Sequence, residues 1–459
     1  MFQFARELRR IFGAEGFRPH QDGLTGGESA LLELLDLPML TTEGRAADVA
    51  AGRVGAKDRA QRRLEAAIVW REIARRSGDA VALRKAASTA ESAAAAFDRN
   101  RRPDGWARAR CEQAFCAMLG AELFGDEGLN AAADVAFREA RAAARGGLAA
   151  ALADIGVAAI EARANLGVGD ASAARAAAAA FSAPVAALES LRRRFSAARP
   201  LAAEARTIRA DLLAGWGARL KDVSLLEEAG AEAARAAALV ESQYEPLTWS
   251  RAETVRAQAL ALMGEFGGEV ERVTDSVTAL TEVMETFDRD HSPLDWARVQ
   301  VALGQSLHTL GEAVSNEQAF EQAVGCFERA EVVLRTAPSS PLRGLAVSSR
   351  AVCLVRSAEL TGDLAVLDSA EAAMKMELAR TPARRDPVAW ALAQVHLARL
   401  YEARMDMTGK DRGERAKAVM ALDAALDVFS EHGLRSLSAV AVDAMNRLKP
   451  GARQRPSQP

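Results

Sequence analysis

The chain has 459 residues, 49% of them hydrophobic and 26% charged, with a formal net charge of −3. That balance allows a large buried core and excludes a chain disordered throughout. It gives no electrostatic reason to expect nucleic acid or an anionic membrane as the main partner. Even the Ala-rich stretch 176–188 is broken by Pro184, so no uncharged apolar run of about 18 residues spans a bilayer. Four cysteines without a CxxC spacing, and no secretory-type start, lead to the expectation of a reducing cytoplasm.

In chain order, Met1–Phe12 is read as an amphipathic basic helix, with Phe4, Leu8, Ile11 and Phe12 on one face and Arg6, Arg9 and Arg10 elsewhere. It either covers the open end of the neighbouring helices or docks on a membrane surface or partner. A glycine-rich loop leads to residues 29–40, which are too apolar for an isolated surface helix and are expected to end at Pro38. They dock either on the next element as a second cap or against another copy of the chain. A turn at Thr41–Gly44 and a short Ala-rich helix complete an N-terminal capping region, 1–56.

From about residue 57 the pattern is periodic. Its punctuation is Pro followed three residues later by Trp, at Pro103/Trp106, Pro246/Trp249, Pro293/Trp296 and Pro387/Trp390. Pro200 and Pro341 keep the proline alone, and from 200 onward the intervals are 46, 47, 48 and 46 residues. The longer gap from 103 to 200 holds two units with a boundary near Gly146 and Gly147. Proline suits a first helical position because its missing N–H would be unpaired there. Ser292 and Asp386 are the expected N-caps, Ser292 with Asp295 resembling a capping box, and each Trp is placed to wedge between units. Eight helix pairs are predicted over 57–432. A capping helix comes next over 433–448, and then a polar, basic tail, 449–459, expected to be disordered.

Second helices carry small residues around an aromatic: Ala133, Phe137, Ala140 and Ala323, Phe327, Ala330. With Leu303-Gly304-x-x-Leu307 on the preceding helix, this unit resembles the tetratricopeptide repeat. The likeness is to a longer-repeat bacterial variety, since the usual unit has 34 residues. The family's first-helix Trp position is occupied by Gln300 here, and its aromatic partner position is Leu307, Leu260 or Tyr401. The resemblance implies an all-α, right-handed α-solenoid of antiparallel helix pairs, capped at both ends, whose first helices line a concave groove.

No GxGxxG, Walker or GxSxG pattern is present, and the five histidines form no HExxH and no i,i+4 pair, so no enzyme, cofactor or metal site is expected. Glu227-Glu228 reads as a solvated helix face. Cys111 reads as a small apolar filler, or as a reactive thiol if exposed beside Arg108 and Arg110.

Groove-facing offsets in the implied solenoid carry Arg108, Arg251, Arg298, Gln305, His308, Arg356 and Arg399. These would hold an acidic or carboxylate-bearing segment through charge-assisted bonds, or pair with neighbouring Glu and Asp. The functional expectation is a non-enzymatic scaffold or adaptor that binds a partner peptide or helix in the groove. The alternative is a regulatory receptor whose curvature responds to a small molecule or signalling peptide, for which a closed superhelix is expected. Residues 1–45 are a possible homo-oligomer contact.

Overall fold

A computed structural model describes residues 30–53, 58–166, 170–337, 340–380, 383 and 386–449. The expected helix at Met1–Phe12 and the expected tail beyond Lys449 lie outside the described residues. A single 3-10 turn, Ala30–Leu34, precedes α1 (Leu37–Gly52). Eight successive units come after it. The first two are α2/α3 (Arg59–Ser77, Ala80–Ala96) and α4/α5 (Pro103–Phe124, Glu127–Ala143). In the third, α6 (Gly147–Ala164) pairs with a broken partner, α7 (Ala171–Ala179) and α8 (Ser182–Leu191). The fourth and fifth are α9/α10 (Ala198–Leu220, Val223–Ala237) and α11/α12 (Pro246–Gly267, Val270–Thr286). The last three are α13/α14 (Pro293–Val314, Glu317–Leu334), α15/α16 (Pro341–Thr361, Leu364–Arg380) and α17/α18 (Pro387–Thr408, Glu414–Glu431), before the final helix α19 (Arg435–Arg447).

Pro103, Pro246, Pro293, Pro341 and Pro387 each open a helix, as the missing N–H predicts. Pro38 does the same. It opens α1 rather than ending the preceding segment, because Asp36 caps the Met39 N–H at 2.7 Å and the helix continues through Thr41–Gly44. Ser292 does not cap in the expected way either. Its hydroxyl donates to Asp295 Oδ2 at 2.7 Å, whereas Asp386 does accept from the Ala389 N–H at 3.0 Å.

Between the two helices of a unit lies a second signal, not read in the sequence: a left-handed residue followed by a short polar cap. The left-handed residues are Gly78, Gly125, Lys221, Gly268, Ser315, Gly362 and Gly409. From 221 onward they recur every 47 residues. Asp79, Asp126, Asp222 and Asn316 each follow one and accept a backbone N–H of the next helix.

Core packing follows the small-residue spacing. Phe137 and Phe327 are fully buried, with Ala133, Ala140, Ala323 and Ala330 beside them at zero exposure. A methyl added at Gly304 would stand 2.8 Å from the Phe327 ring, so only glycine lets α13 approach α14 this closely. Trp106, Trp249 and Trp296 each touch two neighbouring core clusters, which is the wedge expected of them. By length and composition Ala171–Leu191 would span a membrane. Here it breaks into α7 and α8, with Pro184 in the first turn of α8, and buries Ala174, Ala178, Phe181, Val185 and Leu188 in the core of its neighbours.

The stack winds back onto itself. Leu294 and Ala337 of the sixth unit lie against Gly78 at the α2–α3 turn, and Thr336 Oγ1 donates to the Ser77 carbonyl at 3.4 Å. Leu123 of α4 shares a core cluster with Leu294 and Ala297. Farther on, α19 packs on α9, where Ser436 Oγ donates to the Leu220 carbonyl at 3.1 Å. Unit one touches unit six, and unit four touches α19, which stands where a ninth unit would begin, so one superhelical turn takes five units.

Candidate functional site

Five units per turn leave the first helices facing one another across a narrow interior. Two cavities of about 110 and 130 Å³ lie there, sharing Arg71, Arg75, Phe115, Leu152, Leu201 and Glu204 as walls. They are lined mainly by α2, α4, α6 and α9, and the first is closed at one end by Leu32, Glu33 and Thr248. The lining is mixed. Ile68, Phe115, Leu152 and Leu201 supply apolar surface, while arginines and glutamates alternate around them.

Most of those charges are paired. Arg71 hydrogen-bonds Glu112, Arg75 pairs with Glu204 at 2.7 Å, and Arg76 reaches Glu72 at 2.8 Å. Burial alone would raise the pKa of Glu72, but Arg76, Arg251 and Arg75 together hold it at about 2. Arg108 and Arg163 stand apart, with no side-chain ion pair among the described residues. Arg108 projects half-buried into the first cavity and makes no side-chain hydrogen bond among them either. Burial lowers its pKa, offset only in part by Glu112. Arg163 lines the second cavity, and its charge acts on Glu122 and Asp211.

The other groove candidates form a ladder. Arg251 and Arg298 meet on the Asp295 carboxylate, and Arg298 also reaches Glu122 at 2.9 Å. Arg356 bonds Glu312 and Glu359, and Arg399 bonds Glu359 at 2.6 Å. Arg447 then closes on Glu402, so acid and base alternate across units six, seven, eight and α19. His308 stands 3.7 Å from Glu312 and edge-on to Phe320 at 5.7 Å, its pKa lowered by burial. Gln305 sits half-buried on the same helix. The pairing with neighbouring acids is therefore realised at Arg251, Arg298, Arg356 and Arg399, while Arg108 alone of the seven lines the cavities.

Cys111 is buried, and burial pushes its thiol pKa up, which overturns the reactive-thiol reading. Sequence reasoning missed Arg71, Glu72, Arg75 and Arg76. Their spacing on α2 is that of an ordinary charged helix face, and only the superhelical closure turns that face inward.

A second cluster joins the N-terminal segment to this interior. The Glu33 carboxylate accepts the Leu247 N–H at 2.8 Å, the Thr248 N–H at 2.9 Å and the Thr248 hydroxyl, at the start of α11. Arg76 donates to the Leu35 and Leu32 carbonyls at 2.7 and 2.8 Å, and His291 Nε2 lies 2.7 Å from the Glu33 carbonyl. Leu35 and Leu40 complete the contact by burial against Ile73 and Leu83.

These features define a tetratricopeptide-like helical-repeat protein, an all-α solenoid whose inner wall is enclosed by its own winding. No family model matches the sequence, and no curated protein matches it. Among solved structures it is similar to a Rap protein complexed with Competence and Sporulation Factor, at 12% identity and a TM-score of 0.48, over 85% of this chain and 97% of that one. It is also similar to a circular tandem repeat protein of novel repeat topology, at 17% identity and a TM-score of 0.27, over 92% of this chain and 96% of that one. A third is the P58(IPK) TPR domain, at 15% identity and a TM-score of 0.22, over 91% of this chain and 99% of that one.

Proposed function

We propose that this protein is a non-enzymatic peptide-binding repeat protein whose ligand surface is the enclosed inner wall. It takes a short linear segment carrying a carboxylate next to an apolar side chain. The single observation that carries this reading is Arg108, a guanidinium with no ion-pair partner among the described residues, in the wall of a cavity that Phe115, Leu152 and Leu201 also line. Charge-assisted bonds to a carboxylate would satisfy it, and the apolar wall would take the neighbouring side chain. Cavities of 110 to 130 Å³ admit individual side chains, whereas an α-helix about 10 Å across does not fit.

Closure favours the regulatory variant of the same reading. The contact of Gly78 with Leu294 and Ala337 joins successive superhelical turns, so a ligand that prefers one curvature would shift that contact. The test is selection from a displayed random-peptide library, run in parallel on the wild type and Arg108→Glu. Enriched sequences should share an acidic residue beside a bulky apolar one and be lost from the variant. No enrichment, or the same sequences on both proteins, would sink the proposal.

A further inference from the structure

Residues 32–35 are held as a bound peptide is held. Where the 3-10 turn ends, the Leu35 N–H bonds the Leu32 carbonyl at 3.2 Å. The Leu32, Glu33 and Leu35 carbonyls are also engaged by side chains of the repeat array, Arg76 and His291. The glutamate side chain fills the N-terminus of α11, where two N–H groups and the Thr248 hydroxyl converge on it. Every one of these partners lies on α2, on α11 or just before α13, more than 40 residues away in sequence. Arg76 is itself fully buried in this role. Burial raises the pKa of Glu33, and Arg251 and Thr248 offset this only in part, so the segment is held at a cost in desolvation.

We propose that the pocket formed by Arg76, Leu247, Thr248 and His291 is a socket for a leucine-flanked glutamate in a linear segment. Residues 32–35 fill it within the chain, and a partner segment of the same chemistry displaces them. Because Leu32 and Glu33 also wall the first cavity, displacement opens that cavity from one end. The socket rests on the peptide-binding reading only for the foreign ligand. Its own contacts are independent of Arg108.

The probe is a fluorescein-labelled peptide of residues 30–36, Ala-Leu-Leu-Glu-Leu-Leu-Asp, titrated by anisotropy into the full-length chain. Glu33→Ala protein should bind it at least tenfold more tightly than wild type. Replacing the probe's glutamate by glutamine, or adding Thr248→Val to the Glu33→Ala protein, should each remove at least tenfold. On wild-type protein, saturating probe should accelerate hydrogen exchange at the amides of residues 32–35. Equal affinity of the wild type and Glu33→Ala, or unchanged exchange in the wild type, overturns the socket. Should Glu33→Ala fail to fold, the wild-type exchange measurement decides alone. Since the probe is the chain's own segment, a failed library selection leaves this result standing, and absence of probe binding leaves the selection standing.

Discussion

Arg251 holds Asp295 of the next unit through two hydrogen bonds, Nε to Oδ1 at 2.9 Å and Nη2 to Oδ2 at 2.6 Å. The pair is nearly sealed, at 10% and 3% side-chain exposure, and Ser292 and Arg298 satisfy the remaining acceptor capacity of the carboxylate. Removing one partner strands a charge, which costs roughly 3–5 kcal/mol in such settings. Asp295→Ala should therefore lower the urea midpoint sharply. The double variant Arg251→Met/Asp295→Leu should recover part of the loss, because neither charge of the pair is stranded, while Glu72 and Glu33 lose the compensation that Arg251 gives them. A double variant no more stable than the single one would show that the pair contributes more than mutual compensation.

Gly304 and Phe327 give the packing counterpart. A Cβ at position 304 would meet the ring at 2.8 Å, with α13 and α14 already in full contact. Overpacking of this kind costs about 1–3 kcal/mol. Gly304→Ala should lower the melting temperature, and adding Phe327→Leu should reduce the incremental penalty because the side chain that collides has been removed. Independent, additive losses measured by calorimetry would contradict the interlock.

His396 makes stability depend on pH. Burial, and secondarily the charge of His308, lowers its pKa to about 4 from an ordinary 6.5, and its Nδ1 is buried without a partner. The folded state thus resists protonation that the unfolded state accepts. Its contribution is complete above about pH 6.5, declines as pH falls, and stops declining near pH 4. At about 1.4 kcal/mol per pKa unit, the span is on the order of 3 kcal/mol. Denaturation series at pH 7, 5.5 and 4.5 should reveal this slope. In His396→Leu it should shrink, with His308 and His291, shifted in the same direction, still contributing.

The features legible in the sequence are the local ones. Pro293 and Asp386 fix helix starts through the chemistry of their own backbone neighbourhood, and Ala323, Phe327 and Ala330 announce a close helix contact through spacing alone. The left-handed turns at Gly78, Gly362 and Gly409 are equally local but are masked by the louder Pro-x-x-Trp signal. Closure is not legible. The contacts of Leu294 with Gly78 and of Ser436 with Leu220 join residues more than 200 positions apart, and each depends on the accumulated angle between units. Without closure, Arg71-Glu72 and Arg75-Arg76 read as solvated charges, and Glu33 reads as a surface interruption of an apolar run. The arginine stripe is visible as a pattern, but its pairing is not, because Arg251, Arg356 and Arg399 each take an acid 40 to 44 residues away on an adjoining unit, and Arg298 reaches Glu122 176 residues away.

Arg108 offers the sharpest separation of function from stability. Partial burial disfavours the Arg108 charge and Glu112 offsets this only in part, and sites that bind ligands commonly carry such a penalty. Arg108→Met keeps much of the side chain's apolar length and removes the charge. It should raise the stability of the ligand-free protein by about 1 kcal/mol, within the range seen when a functional residue is relieved. The same change should abolish capture of peptides selected on the wild type. Lysine, which keeps the charge but loses the planar fork, should retain only weak binding. Both properties are read from one series, thermal unfolding with and without a selected peptide. A ligand that binds only the folded state raises the melting temperature of the wild type, and it should leave Arg108→Met unmoved. If Arg108→Met proved less stable than the wild type and still responded to peptide, the residue would be part of the scaffold and the ligand site would lie elsewhere.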